Sequence, residues 1–183
     1  MSRRVVVAVA LLTVTVTAAK VYLSQEEALK LAFPGASVER NTAFLTADQQ
    51  REVQKLSGDE APPSALVVYY VATKDGHEIG TAYFDAHIVR TMSETIMVVV
   101  DPEGRASRVE VLSFQEPEEF LPRPHWYEQF HGKALNDELS TKRGIRPVAG
   151  ATLTARATTD AVRRVLALHR VIRRLAPAPR VSP

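Results

Sequence analysis

Between Leu66 and Phe114 the chain passes through four apolar, β-branched stretches separated by short turns, and no other feature narrows its fold so far. Leu66 to Thr73 ends at Lys74-Asp75-Gly76. Glu78 to Arg90 follows, with Gly80 marking a bulge or a close backbone approach. Glu94 to Val100 ends at Asp101-Pro102-Glu103-Gly104, and Ala106 to Phe114 alternates, with Val109, Val111 and Ser113 on one face. Connections this short join antiparallel neighbours. The expected core is therefore an antiparallel meander, and its apolar faces need helices to cover them.

The flanking segments supply those helices. Ser24 with Glu27 forms a capping box ahead of Ala28, Leu29, Leu31 and Ala32, and Pro34-Gly35 stops that helix. A second helix opens near Thr46 and runs through Gln49, Val53 and Leu56 to Gly58. Residues 60–64, with Pro62-Pro63, read as a loop. After the meander, Gln115 to Pro124 is irregular, and Trp126 to Phe130 reads as a short helix stopped by Gly132. Thr154 to Leu175 is the longest helix. Val162, Val165, Leu166, Leu168, Ile172 and Leu175 form its apolar side, and Arg163, Arg170, Arg173 and Arg174 its solvated side. At 183 residues, 45% of them hydrophobic, the chain suits one α+β domain. Residues 20–64 are its N-terminal helical segment, 65–176 its main body, and 177–183 a disordered tail.

The first nineteen residues read as an address rather than as fold. Arg3 and Arg4 precede an apolar run from Val5 to Ala18, and Thr17, Ala18 and Ala19 are small enough for a signal peptidase. The run is shorter than the roughly 20 residues a spanning helix prefers. A cleaved secretory signal is the first reading and an uncleaved N-terminal anchor the second. Either places the domain outside the cytoplasm, in the periplasm or on the outer face of the inner membrane. The chain has no cysteine, which removes disulfides, thiol catalysis and iron–sulfur ligation by this chain. Any redox chemistry then requires a bound cofactor. A net charge of +2, with no RNP-like aromatic cluster, argues against a nucleic-acid partner.

Val148-Ala149-Gly150-Ala151-Thr152-Leu153-Thr154 stands immediately before the long helix. A small-residue turn leading into a helix N-terminus leaves backbone N–H groups and a positive dipole end, which favour a phosphate. A threonine there either caps the helix or carries a ligand. Gly150-Ala151-Thr152-Leu153-Thr154 before an Ala/Val-rich helix resembles the flavin-attachment motif of the FMN-binding domain family. That family includes the small flavin-bearing subunits of the Rnf and Na+-translocating NADH:quinone oxidoreductase complexes and stand-alone exported proteins. Phe114-Gln115-Glu116-Pro117, Trp126, Phe130, Gly132 and Lys133 also look like family segments, as do Tyr83-Phe84-Asp85, His87 and Arg90.

The resemblance implies FMN joined through its phosphate to the Thr152 hydroxyl, installed by a flavin transferase that uses FAD and Mg2+. Gly150, Ala151, Leu153 and Thr154 would lie beside the phosphate and ribityl chain. Glu116 and Pro117 would form a loop near the flavin, Trp126 would shield a ring face, and His87 and Arg90 would supply positive charge near the reduced ring. The family pattern is Asp-x-x-Ser/Thr-Gly-Ala-Thr, and here Arg146 and Ala149 occupy the Asp and Ser/Thr positions. Noncovalent flavin is thus an open alternative. The implied activity is electron carriage between a membrane redox partner and other electron-transfer proteins, more as a carrier or oxidoreductase subunit than as a stand-alone enzyme. The rival is an exported, noncatalytic binding or assembly module of the same fold without flavin.

Other constellations carry less. His125 and His131 are six positions apart and fit no strong metal-ligand spacing; His77 falls in a turn and His169 on the last helix. Glu116, Glu118 and Glu119 otherwise read as a solvated charge run. No nucleophile elbow or catalytic residue is evident.

Overall fold

The computed structural model describes residues 20–58, 62 and 64–175. The expected signal or anchor at 1–19, much of the loop at 60–64, and the tail at 177–183 lie outside the described residues. In chain order the elements are β1 (Lys20–Val21), α1 (Gln25–Ala32), β2 (Ser37–Phe44), α2 (Ala47–Ser57), β3 (Leu66–Lys74), β4 (His77–Ile88), β5 (Ser93–Val100), β6 (Ala106–Phe114), α3 (Pro124–Tyr127) and α4 (Thr152–Leu175). Short 3-10 turns cover Glu118–Phe120 and Glu128–Phe130.

The meander forms as expected and is extended at both edges. One antiparallel sheet has the order β1-β6-β5-β4-β3-β2. β2 was not expected as a strand, yet it pairs with β3 along its whole length, from Ser37 opposite Thr73 to Phe44 opposite Leu66. Its Glu39-Arg40-Asn41 centre suits a solvated edge, where charge discourages pairing with other chains. Lys20–Val21 borders the other edge against Phe114 and Ser113.

Both helix starts read from the sequence are present. Ser24 and Glu27 cap α1 reciprocally, Thr46 and Gln49 do the same for α2, and Gly58 ends α2 in the left-handed conformation. Gly80 sits where the β3–β4 register slips. A Cβ there would come within 3.1 Å of the Val100 carbonyl oxygen and 3.2 Å of the Phe33 ring. The close approach expected at Gly80 is real.

The sheet separates two apolar layers. α4 and α3 cover one face, with Tyr83, Ile96, Val98, Val109, Trp126 and Val165 among the buried contacts. α1 covers the other through Ala28 and Phe33 against Ala72, Ala82, Met97 and Leu112. On α4, Val162, Val165, Leu166, Leu168 and Ile172 are buried as expected; the Leu175 side chain lies outside the described residues.

The arginine face needs one correction. Arg163 is half-buried and donates to the carbonyls of Ser57, Asn136 and Leu139, so it fastens α2 and the 136–139 loop to α4 instead of facing solvent. The carbonyls at the end of α2 have no partner within the helix, and Arg163 on α4 supplies a donor to the Ser57 one.

β3 and β4 do not pair throughout. Their ladder runs from Tyr69 opposite Tyr83 to Lys74 opposite His77, while Leu66–Val68 pair only with β2. A slot of about 360 Å³ opens where the strands part, with Leu66, Val67, Asp85, Val165 and Leu168 among its walls.

Candidate functional site at the start of α4

α4 begins at Thr152, two residues earlier than expected. Gly150 has φ +84°, and a Cβ built there would meet nothing within 4 Å. Only glycine adopts that backbone readily, and the space beside it is open. Ala151, the residue before the helix, is buried and has no side-chain oxygen with which to cap the first turn. Capping by a threonine was one sequence reading of this turn, and neither Thr152 nor Thr154 is the cap. Thr152 is exposed and its hydroxyl donates to the Val148 carbonyl at 3.2 Å. Thr154 is buried and donates to the Phe120 carbonyl at 2.6 Å. The site therefore presents a helix N-terminus, an exposed hydroxyl and, in Leu153, a 51% exposed apolar side chain.

Three loops converge on this helix end. Phe120, held by Thr154, has its ring 4.4 Å from the Arg90 guanidinium carbon. Arg90 lies just past β4, in the turn to β5. Glu116 fastens that turn: its carboxylate accepts from the backbone N–H groups of Thr91 at 2.7 Å and Met92 at 2.9 Å, and from the Thr91 hydroxyl at 3.3 Å. These bonds, the Thr91 amide first, hold the Glu116 carboxyl below its ordinary range. Glu116 is thus a buried clip and no part of a solvated charge run; Glu118 and Glu119 are exposed.

Trp126 reaches the loop from behind. Its indole N–H donates to the Arg146 carbonyl at 2.6 Å, and the Gln129 side chain accepts from the Arg146 N–H at 2.9 Å. Trp126 is 5% exposed and packs edge-on against Tyr127 and Phe130. Its observed role is to anchor the approach to Gly150. Arg146 is held by its backbone while its side chain stays exposed, so the anchoring does not depend on which side chain stands there.

Beneath the first turns of α4 lies an ionic network. His87 Nδ1 is 3.0 Å from Asp85 and Nε2 is 3.0 Å from Glu94. Arg164 binds Asp85 through two nitrogens at 2.8 and 3.0 Å. Glu94 also accepts from the Tyr127 hydroxyl at 3.2 Å and the Thr158 hydroxyl at 2.8 Å. Burial alone would lower the His87 pKa, but hydrogen bonds and charge from Asp85 and Glu94 outweigh it and hold it at about 9. Burial likewise raises Asp85, yet His87 and Arg164 prevail and hold it below its ordinary value. Two cations face two carboxylates, so the cluster is close to neutral overall.

The sequence-predicted residues thus meet at one end of the sheet. Thr152, Leu153 and Thr154 start α4; Arg90 reaches them through the Phe120 ring, and Glu116 fastens the turn that carries Arg90; His87 lies in the network underneath; Trp126 holds the incoming loop. Sequence reasoning missed Glu94, Thr158, Arg164 and the role of Phe120. For Glu94 a charged residue at the start of an otherwise apolar strand was the available signal; the others carried none. A groove of about 750 Å³, lined by Tyr22, Val109, Val111, Leu121, Pro124 and Tyr127 among others, runs between β6 and α3; the Thr152–Thr154 turn is not part of its lining.

This arrangement is suited to a phosphate ester. The helix end and glycine turn accommodate an anion, and the exposed hydroxyl is available for bonding. Residues 93–167 match the family model of the FMN-binding domain. The match bears out the resemblance read from Gly150-Ala151-Thr152. It takes in Glu116, Trp126 and the start of α4, while His87 and Arg90 fall outside it. Comparisons with curated proteins and with solved structures give no significant match. Among the described residues no helix is long and apolar enough to cross a membrane.

Proposed function

We propose that this protein is an extracytoplasmic electron carrier whose FMN is held by a phosphoester to the Thr152 hydroxyl. The observation that carries the reading is the exposed Thr152 hydroxyl on the first residue of a 24-residue helix, beside open space at Gly150. The match to the FMN-binding domain supports the choice of cofactor. When bound, the isoalloxazine supplies the electron chemistry; the chain supplies attachment, orientation and charge. The α4 N-terminus would hold the phosphate, Leu153 would cover part of the ribityl chain or ring, and Arg90 would place a cation nearby.

A covalent tether suits export, because a carrier outside the cytoplasm cannot readily replace a lost cofactor. A flavin transferase would load the domain. A membrane redox partner would then supply electrons, and other electron-transfer proteins would receive them.

Protein co-expressed with a flavin transferase is expected to be yellow, to bleach with dithionite and to regain colour in air. The colour should persist through denaturation and desalting. Colour lost on desalting would point to noncovalent FMN. A colourless product, obtained while the transferase loads a control domain, would favour the rival binding module.

A further inference from the structure

The ionic network under α4 ties six side chains together around His87, Asp85 and Glu94. Its members come from every element packed against His87: Asp85 from β4, Glu94 from β5, Tyr127 from α3, and Thr158 and Arg164 from α4. Glu94 has no exposed surface, whereas Asp85 lines the slot between β3 and β4. The opening of about 360 Å³ is walled largely by apolar side chains, with Gln25, Arg40, Ser64 and Asp85 as polar members where water can bind beside one end of the network. At the other end, Thr158 stands one helical turn past Thr154, whose hydroxyl holds Phe120 under Arg90. The network therefore joins a route to solvent with the underside of the Thr152 site.

We propose that His87, through Asp85 and Glu94, is the proton-linked residue of this redox site, binding its proton more tightly when the site gains negative charge on reduction. This inference rests on the flavin reading above. Electrons come from the external reductant. Above about pH 9, where the oxidised site leaves the His87 ring neutral, the compensating proton comes from water through the slot at Asp85, binds the free imidazole nitrogen, and returns to water on reoxidation; at lower pH the ring is already charged and no proton moves. Coupling of this kind is reciprocal: if reduction tightens proton binding, proton binding favours reduction. The slot sets this network apart from a sealed structural ion pair, which has no path for proton exchange.

The test is an NMR titration of the His87 ring in FMN-loaded protein, oxidised and then reduced with dithionite. In the oxidised protein His87 is expected to titrate near pH 9. Reduction should raise its midpoint by an amount of the order of one unit, as one added charge does in a poorly screened interior. Superimposable His87 curves in flavin-loaded protein would overturn this inference and leave the flavin reading intact. Protein that takes up no flavin would overturn both.

A second readout separates coupling from scaffolding. The reduction potential of wild type should fall more steeply with pH above about 9, and His87→Gln should lose that steepening while keeping its flavin. If the variant proves unstable, the wild-type titration decides alone.

Discussion

Replacing Glu94 with alanine is expected to lower the unfolding free energy by about 3–5 kcal/mol. Glu94 is fully buried and meets the His87 ring together with the hydroxyls of Tyr127 and Thr158. Its removal leaves two hydroxyls without an acceptor and a buried imidazolium with one carboxylate in place of two. The cost comes mainly from those stranded partners, more than from lost attraction. Glu94→Gln keeps the shape and part of the bonding, so its loss should be smaller. Glu118→Ala breaks only an exposed pair with Lys20 and should leave stability nearly unchanged. Urea unfolding of the three variants checks the ranking. A loss of less than about 1 kcal/mol for Glu94→Ala would show that the network is not a keystone of the fold.

Two histidines are expected to shape the pH dependence of stability in opposite directions. The folded-state pKa of His87 is raised from 6.5 to about 9. Its stabilisation is therefore complete below pH 6.5 and is lost as pH rises through 9. His169 is the reverse case. Burial against Tyr83, followed by the charge of Arg173, lowers its pKa from 6.5 to about 4. Its stabilisation is present above pH 6.5 and is lost as pH falls through 4. Each excursion is worth on the order of 3 kcal/mol. Unfolding midpoints measured across this range should peak near pH 6.5. His169→Gln should flatten the acid limb, and His87→Gln the alkaline limb. An alkaline limb unchanged in His87→Gln would show that the imidazole is not held charged by its neighbours.

The parts of the fold that could be read from the sequence are those where local chemistry and tertiary environment agree. The capping residues of α1 and α2, the turns at Gly76 and Gly104, and the apolar rows of β3 to β6 each specify their own conformation. β2 was missed because Ser37–Phe44 presents polar and charged residues, and only the whole-length pairing with β3 makes it a strand. At the site, the Gly150-Ala151-Thr152 motif was legible because its residues are adjacent in the chain. The network was only half visible: His87 stood out, but Arg164, which binds its partner Asp85, and Thr158, which binds its partner Glu94, join only once α4 packs on the sheet. Arg163 and Arg164 are neighbours on a helix that reads as basic outside and apolar inside. Their uses, one fastening loop carbonyls and the other a buried carboxylate, depend on groups that periodicity does not reveal.

Intact mass of the denatured protein, co-expressed with a flavin transferase and measured beside Thr152→Ala, tests attachment most directly. Thr152 is exposed and its side chain makes one backbone hydrogen bond, so the variant should fold and elute as wild type does. The account predicts that wild type carries the mass of one FMN residue, with in-gel flavin fluorescence, and that Thr152→Ala carries neither. Flavin retained in the variant, or absent from wild type while a control domain is loaded, would contradict attachment at Thr152.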